Sequence, residues 1–254
     1  MVDLHCHILS GMDDGAKSAE ESLAMAEMAI ADGITHVVAT PHSSSEYRFD
    51  FAAVQRAAAE LQKAVGERLT LATGCDFHLN PENLAALKKS AANFCIHQKD
   101  YLLVEFNEFS IPPGIDQIIY EIQLAGVRPI ITHPERNGIM RAQPERFEKW
   151  IRNGCYAQVT GGSLTGTFGP GAKQTSLTWI ARGLVHFVAS DAHNLTGRPQ
   201  QLRAAYDLVR SEFGKEKAEA LLVENPMAAF EGRPLPHVPE ISEAQPKKKR
   251  FLFF

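Results

Sequence analysis

A chain of 254 residues, 44% of them hydrophobic and 22% charged, has room for one large α/β domain or two small ones around a real core. Its formal net charge of -4 gives no electrostatic case for nucleic acid or membrane as the main partner. No apolar run approaches the roughly 20 residues of a membrane-spanning helix, and MVDLHCHIL lacks the basic and apolar regions of a signal peptide.

Short β-rich runs alternate with helical patterns along the chain. Val2 to His5 reads as a first strand, and Ser18 to Asp32 as a helix ended by Gly33. Thr35 to Ala39 is strand-like and runs out at Pro41 and His42. Phe51 to Val65 has helical spacing, and Leu69 to Cys75 makes a third strand. Tyr101 to Phe106 is a buried-type strand, Gln117 to Ala125 a helix and Arg128 to Thr132 a strand. Pro144 to Asn153 (helix), Tyr156 to Thr160 (strand), Leu177 to Arg182 (helix), His186 to Ala189 (strand) and Gln200 to Phe213 (helix) complete the alternation. Seven strands separated mostly by single helices predict parallel βα units, better accommodated by a closed or distorted barrel than by an open sheet. Residues 1–232 read as one domain. Residues 233–254, RPLPHVPEISEAQPKKKRFLFF, read as a tail that is Pro-rich, then basic, then aromatic.

Metal-type residues stand where one strand after another runs out. His5 and His7 end the first, His42 follows the second and Asp76 the third. Glu105 ends the fourth, His133 follows the fifth, and Asp191 and His193 lie beyond the seventh. In a barrel of parallel strands all the carboxyl ends open on one face, where a site is assembled from several loops. Taken singly, each residue has a plainer reading: a histidine after a strand is ordinarily a hydrogen-bonding loop residue. Glu105, inside an apolar strand, would otherwise pair with a buried arginine. Their recurrence at the same end of six strands favours a metal site. Imidazole and carboxylate without thiolate favour Mn, Fe or Zn, and Cys6, between His5 and His7, should face the core.

Arg136 and Arg198 each follow a proposed ligand by a few residues, and a guanidinium fork suits phosphate oxygens. Competing designs fail. None of Cys6, Cys75, Cys95 and Cys155 has an arginine six positions downstream, and there is no GxSxG elbow or phosphate-binding GxxxxGK[ST] loop. The cysteines form no CxxC pair, so a reducing cytoplasm is expected rather than a disulfide framework. The glycines of VTGGSLTGTFGPG read as a loop that shapes a substrate wall.

With these residues assembled, the chain resembles the polymerase and histidinol phosphatase superfamily. Within it, the chain is similar to the bacterial manganese-dependent protein-tyrosine phosphatases of capsule and exopolysaccharide operons. The matching segments are DLHCHILSGMDDGAKS, ATPHS, YLLVEF, ITHPERN and VASDAHN with the following RP. The resemblance implies a distorted (β/α)7 barrel holding three divalent ions, with Mn the expected metal and Fe or Zn as alternatives. By position the ligands would be His5, His7, Asp14, His42, Asp76, Glu105, His133, Asp191 and His193. Arg136 and Arg198 would bind phosphate, with His42 or a metal-bound water as the candidate acid. Asp76 departs from the family, which usually has the longer Glu there, and this bears on whether all three sites fill.

The implied reaction is hydrolysis of phosphotyrosine on a protein by metal-bound hydroxide without a phosphoenzyme. The implied partner is a membrane-linked bacterial tyrosine kinase. A small-metabolite phosphatase, such as one for histidinol phosphate, or a catalytically impaired regulatory protein on the same barrel are the alternatives. The basic and aromatic end, KKKRFLFF, has a composition suited to weak contact with an anionic membrane surface. A disordered end or a subunit contact is the plainer reading, and association into an oligomer is compatible with the sequence.

Overall fold

Seven expected strands become nine short ones in the computed structural model, which describes residues 1–107 and 110–242. Strands β1 (Val2–Cys6), β2 (His36–Ala39) and β4 (Thr70–Thr73) form one sheet in that order. Strands β3 (His42–Ser43), β5 (Asp76–His78), β6 (Tyr101–Glu105), β7 (Arg128–Thr132), β8 (Tyr156–Thr160) and β9 (Phe187–Ala189) form the other. All the paired neighbours are parallel.

The count differs because β3 and β5 are additional short strands beyond the ends of the second and third expected ones, Thr35–Ala39 and Leu69–Cys75. Pro41 has no N–H to offer between β2 and β3, and Gly74 and Cys75 separate β4 from β5. Bonding continues across both gaps: Gly74 N–H donates to Ala39 at 2.9 Å and Asp76 N–H to Pro41 at 3.2 Å. The first strand also meets the last. Cys6 and Ala192 form a parallel bridge, His7 N–H donates to Ala192, and Asp191 N–H donates to His5, both at 2.8 Å.

Side-chain alternation sorts the core into two clusters. Tyr101 and Leu103 of β6 pack with Leu4, Val38, Ile130 and Phe187. Leu102 and Val104 face the other way, joining Val37, Ile131 and Val159 in the cluster beneath the helices. Cys6 belongs to this second cluster, as its place between two site histidines predicts.

The helices α1 (Ala19–Ala31) and α2 (Phe51–Val65) lie close to their expected positions. Ser18 caps α1 by accepting from Glu21 N–H at 3.2 Å, and Asp50 caps α2 by accepting from Ala53 N–H at 3.0 Å. On α2 the buried residues Val54, Ala58, Leu61 and Val65 recur at helical spacing. Helices α4 (Ile115–Leu124), α6 (Pro144–Arg152) and α9 (Arg203–Phe213) also answer to expected ones, although α9 begins later than Gln200. The segments α3 (Pro81–Lys89), α5 (Gly138–Ala142) and α7 (Gly161–Thr165) were not expected. Helix α8 (Gly169–Ala181) starts well before the predicted Leu177, at a Gly-Pro-Gly that reads as loop. Proline is tolerated in a first helical turn because its missing N–H would have no partner there.

Helix α10 (Lys215–Glu219) continues through a π-helical stretch, Ala220–Glu224, into α11 (Asn225–Glu231). Ala228, Ala229 and Phe230 of α11 join the first cluster at the starts of the strands, where the Phe230 ring lies 5.2 Å from that of His36. The strand carboxyl ends are thereby left to the polar residues.

Residues 233–242, the first part of the expected tail, run along this body. Tyr101 donates its hydroxyl to Arg233 O at 2.9 Å, Leu235 is buried, and Ser242 N–H donates to Arg182 O at 3.0 Å. The KKKRFLFF segment lies outside the described residues. Among the described residues no helix is long and apolar enough to cross a membrane, and all four cysteines are buried free thiols.

Candidate metal centre

The strand ends bring every expected ligand to one place. Alternation on β1 would put His5 and His7 on one side, and their Nε2 atoms stand 3.2 Å apart. The loop after His7 folds back on it: a Cβ at Gly15 would lie 2.0 Å from His7 O. Only glycine therefore allows the turn that presents Asp13 and Asp14 to the site. His133 and Asp191 both hold positive φ, at 30° and 53°. For residues other than glycine such a backbone costs on the order of 1–3 kcal/mol, and it clusters where function demands a fixed direction.

Four overlapping groups of donor atoms result. His7, Asp14, His42 and His193 form one; His42, Asp76, His78 and Glu105 a second; His5, His7 and Asp76 a third; and His5, His133 and Asp191 a fourth. His5 Nε2 lies 3.4 Å from both Asp76 Oδ2 and Asp191 Oδ1. His42 faces two ways, with Nδ1 3.2 Å from Asp76 Oδ2 and Nε2 3.5 Å from Asp14 Oδ1. His193 Nε2 lies 3.5 Å from the same Asp14 oxygen, and His133 Nε2 3.6 Å from Glu105 Oε1.

The donor set fits divalent metal. Both oxygens of Asp76, His42 Nδ1, Glu105 Oε2 and His193 Nε2 are buried without a hydrogen-bond partner, and buried polar atoms are rarely left so. Imidazole with carboxylate is the donor chemistry of Mn, Fe and Zn.

The electrostatics agree. Burial opposes protonation of His5, yet the Asp76 and Asp191 carboxylates outweigh it and raise its pKa to about 9. His42 rises to about 10 against the same burial, through Asp76 and Glu105. Burial likewise opposes ionisation of Asp76 and Asp191, but the neighbouring histidines, led by His5, hold both well below the ordinary carboxylate range. The carboxylates draw positive charge into the site, and divalent cations would supply it. Burial and then the Arg136 charge keep His133 neutral, the form that ligates.

Arg136 and Arg198 both donate to Asp191 Oδ2. The two guanidiniums lie over one ring, that of Phe168, at 4.3 and 5.9 Å from its centroid. The ring is fixed from below: a Cβ at Gly162 would lie 2.9 Å from it. The glycine-rich segment is thus partly helix, α7, and its Phe168 is the shelf on which both arginines rest. Arg198 Nε is buried and has no hydrogen-bond partner, leaving a donor for an anion.

Three residues of the site escape sequence reading. Asp13 accepts from His7 Nδ1 at 2.6 Å, from Gly15 N–H at 3.0 Å and from His42 N–H at 2.9 Å, so it orients two ligands at once. In the DD pair its role was indistinguishable from that of Asp14. Glu135 is buried in THPERN and accepts from Thr160 N–H at 3.0 Å and Ser163 Oγ at 2.6 Å, tying the Arg136 turn to α7. His78 stands two residues after Asp76, and the same alternation that groups His5 with His7 would have flagged it.

Fold and site together define a candidate imidazole–carboxylate metal centre at the carboxyl ends of a parallel α/β scaffold. The family model for capsular polysaccharide synthesis, CpsB/CapC, matches residues 1–231, and the chain belongs to this family. It is 36% identical over 257 residues to the tyrosine-protein phosphatase YwqE of Bacillus subtilis (strain 168), covering 100% of this chain and 99% of that one. It is 35% identical to the putative tyrosine-protein phosphatase CapC of Staphylococcus aureus, over 87% of this chain and 88% of that one. A chain from the crystal structures of YwqE and of CpsB from Streptococcus pneumoniae, called unique metal-dependent tyrosine phosphatases, superposes with a TM-score of 0.88. Its identity is 34%, over 96% of this chain and 100% of that chain.

Proposed function

We infer that this chain is a metal-dependent protein-tyrosine phosphatase of capsule or exopolysaccharide synthesis. The observation that carries this reading is the meeting of all nine expected ligands at one point with two arginines on Asp191. Full-length likeness to YwqE supports the substrate class.

The two sheets, joined by the Cys6–Ala192 bridge, support the reading of one distorted (β/α)7 barrel over residues 1–232. Three divalent ions, Mn in the first place, would be held by His5, His7, Asp14, His42, Asp76, Glu105, His133, Asp191 and His193. When bound, such ions lower the pKa of a coordinated water from 15.7 toward about 7 and offset charge developing on phosphoryl oxygens.

The chain's own groups do the rest. Arg136 and Arg198, braced on Phe168, orient the phosphate through their remaining N–H groups. Asp13 brings the carboxylates around the ions to five, and with both arginines counted the site stays net positive and attracts a phosphate dianion. The phenolate of tyrosine, of pKa about 10, leaves readily, so little is asked of a general acid. His42, whose Nδ1 lies 3.2 Å from Asp76 Oδ2, or a metal-bound water is the candidate acid.

A membrane-linked bacterial tyrosine kinase is the proposed protein substrate, and the cytoplasm, which suits four buried free thiols, the proposed compartment. Beyond residue 242 the basic and aromatic end is proposed as a weak membrane contact, supported by its composition.

The test is hydrolysis of a phosphotyrosine peptide by metal-stripped protein, with and without Mn²⁺, beside phosphoserine peptide and histidinol phosphate. Mn-dependent release from phosphotyrosine alone is expected. Preference for histidinol phosphate overturns the substrate class, and no turnover with metal bound overturns the enzyme.

A further inference from the structure

We propose that His78 is a metal ligand, completing with Asp76 and Glu105 one cation position of the centre. The inference rests on the metal-dependent reading above and adds to it a residue outside the nine ligands.

Strand register places His78 there. In the parallel pairing His42 stands beside Asp76, and His78 beside Glu105. Asp76 and His78, two apart on β5, share a face, so the four side chains form two adjacent pairs on one side of the sheet. Their donor atoms are mutually close. His78 Nε2 lies 2.5 Å and His42 Nδ1 3.4 Å from Glu105 Oε2, while His42 Nδ1 lies 3.2 Å from Asp76 Oδ2.

The atoms are close enough to pair as ions, His78 with Glu105 and His42 with Asp76, yet none of them meets hydrogen-bond geometry with another. His78 Nε2, Glu105 Oε2, His42 Nδ1 and both Asp76 oxygens are buried without a hydrogen-bond partner, and Asp76 is 0% exposed. Proximity without hydrogen-bond geometry is what donors aimed at a common third atom produce. The backbone of His78 is pinned as well: its carbonyl accepts from Asn83 Nδ2 at 2.9 Å and from Asn80 N–H at 3.0 Å.

His42 alone does not make His78 redundant. A neutral imidazole offers one lone pair, because its other nitrogen carries the proton. His42 Nε2 faces Asp14, which His193 also approaches. When Nε2 serves that group, Nδ1 is lost to the Asp76 group. Asp76 and Glu105 would then lack an imidazole from this side of the sheet, and His78 supplies it.

The test measures Mn²⁺ alone. Metal-stripped wild type, His78→Ala and His78→Glu are dialysed against buffered Mn²⁺, and bound metal per chain is measured by atomic emission across the concentration range. His78→Ala should hold one ion fewer per chain, or bind one ion at least tenfold more weakly, with the other positions unchanged. His78→Glu, which reaches a similar distance with a carboxylate oxygen, should restore it. Should His78→Ala melt as an unfolded chain without metal, His78→Phe keeps a ring in place without a lone pair and decides the comparison. Equal stoichiometry and affinity in wild type and both donor-free variants overturn the role of His78 alone. A wild type that binds no Mn²⁺ overturns the whole metal centre, and this ligand with it.

Discussion

Arg136 and Arg198, which approach from different loops, share a single acceptor atom, Oδ2 of Asp191. Asp191 also stands 3.4 Å from His5 Nε2 through its other oxygen. The proposed phosphate-binding and metal-binding halves of the site therefore meet on one carboxylate.

Arg136→Ala should leave bound Mn²⁺ unchanged and lower kcat/KM for a phosphotyrosine peptide by about 10²-fold or more, the usual effect of removing one preorganised donor. Kinetics and metal content on the same preparation check it. Loss of metal in this variant would make Arg136 a support for Asp191 instead.

Asp13 is not counted as a ligand, but it fixes His7 through Nδ1 and His42 through its N–H. Asp13→Asn should weaken Mn²⁺ binding by roughly 10–100-fold, the range found for such supporting carboxylates. Titration of the metal-stripped variant reads this directly. Unchanged affinity would show that the Gly15 turn holds the two histidines without help.

Cations bound only by the folded state stabilise it by mass action, about 2.7 kcal/mol per site at a hundredfold excess over Kd. In a chain of this size about 1 kcal/mol moves Tm by roughly 2–4 °C. Chelation should therefore lower the melting temperature by at least about 5 °C, and Mn²⁺ should restore it. A melting temperature indifferent to metal would contradict a metal centre built on these buried carboxylates and imidazoles.

Away from the site, burial and then the Lys217 charge lower the His186 pKa from 6.5 to about 4. Its Nδ1 accepts from Ala157 N–H at 3.3 Å and must stay unprotonated to do so. The unfolded chain then binds one proton more than the folded one between about pH 6.5 and 4, so stability falls as pH drops through that window, by at most about 1.4 kcal/mol per pH unit. His186→Asn keeps an acceptor there and should flatten the dependence relative to wild type in urea unfolding at several pH values. Identical slopes would mean that His186 takes up its proton without unfolding.

Much of this architecture is local in origin. Helix α2 has its four buried residues at helical spacing and an aspartate cap, and strands β7 and β8 are continuous buried-type runs, so nearest-neighbour patterning suffices for them. The proposed ligands were legible for a related reason: parallel strands place their carboxyl ends together, so chemistry written at six strand ends must meet. Where local signals conflict with the structure, tertiary contact wins. Gly169–Pro170–Gly171 reads as loop, yet it opens α8, whose Ala172, Ser176, Trp179 and Ile180 are buried.

The sequence by itself determined the alternation of strands and helices, the donor types and the end of the strands at which they gather, because these follow from periodicity and parallel topology. The tertiary structure decided which donors touch. It gave Asp13 rather than Asp14 to His7, seated both arginines on Asp191 above Phe168, and brought His78 to Glu105. Those choices depend on distances of a few ångströms, some within one loop and some between segments far apart in the chain, set by loop geometry, register and packing that single-residue patterns do not encode.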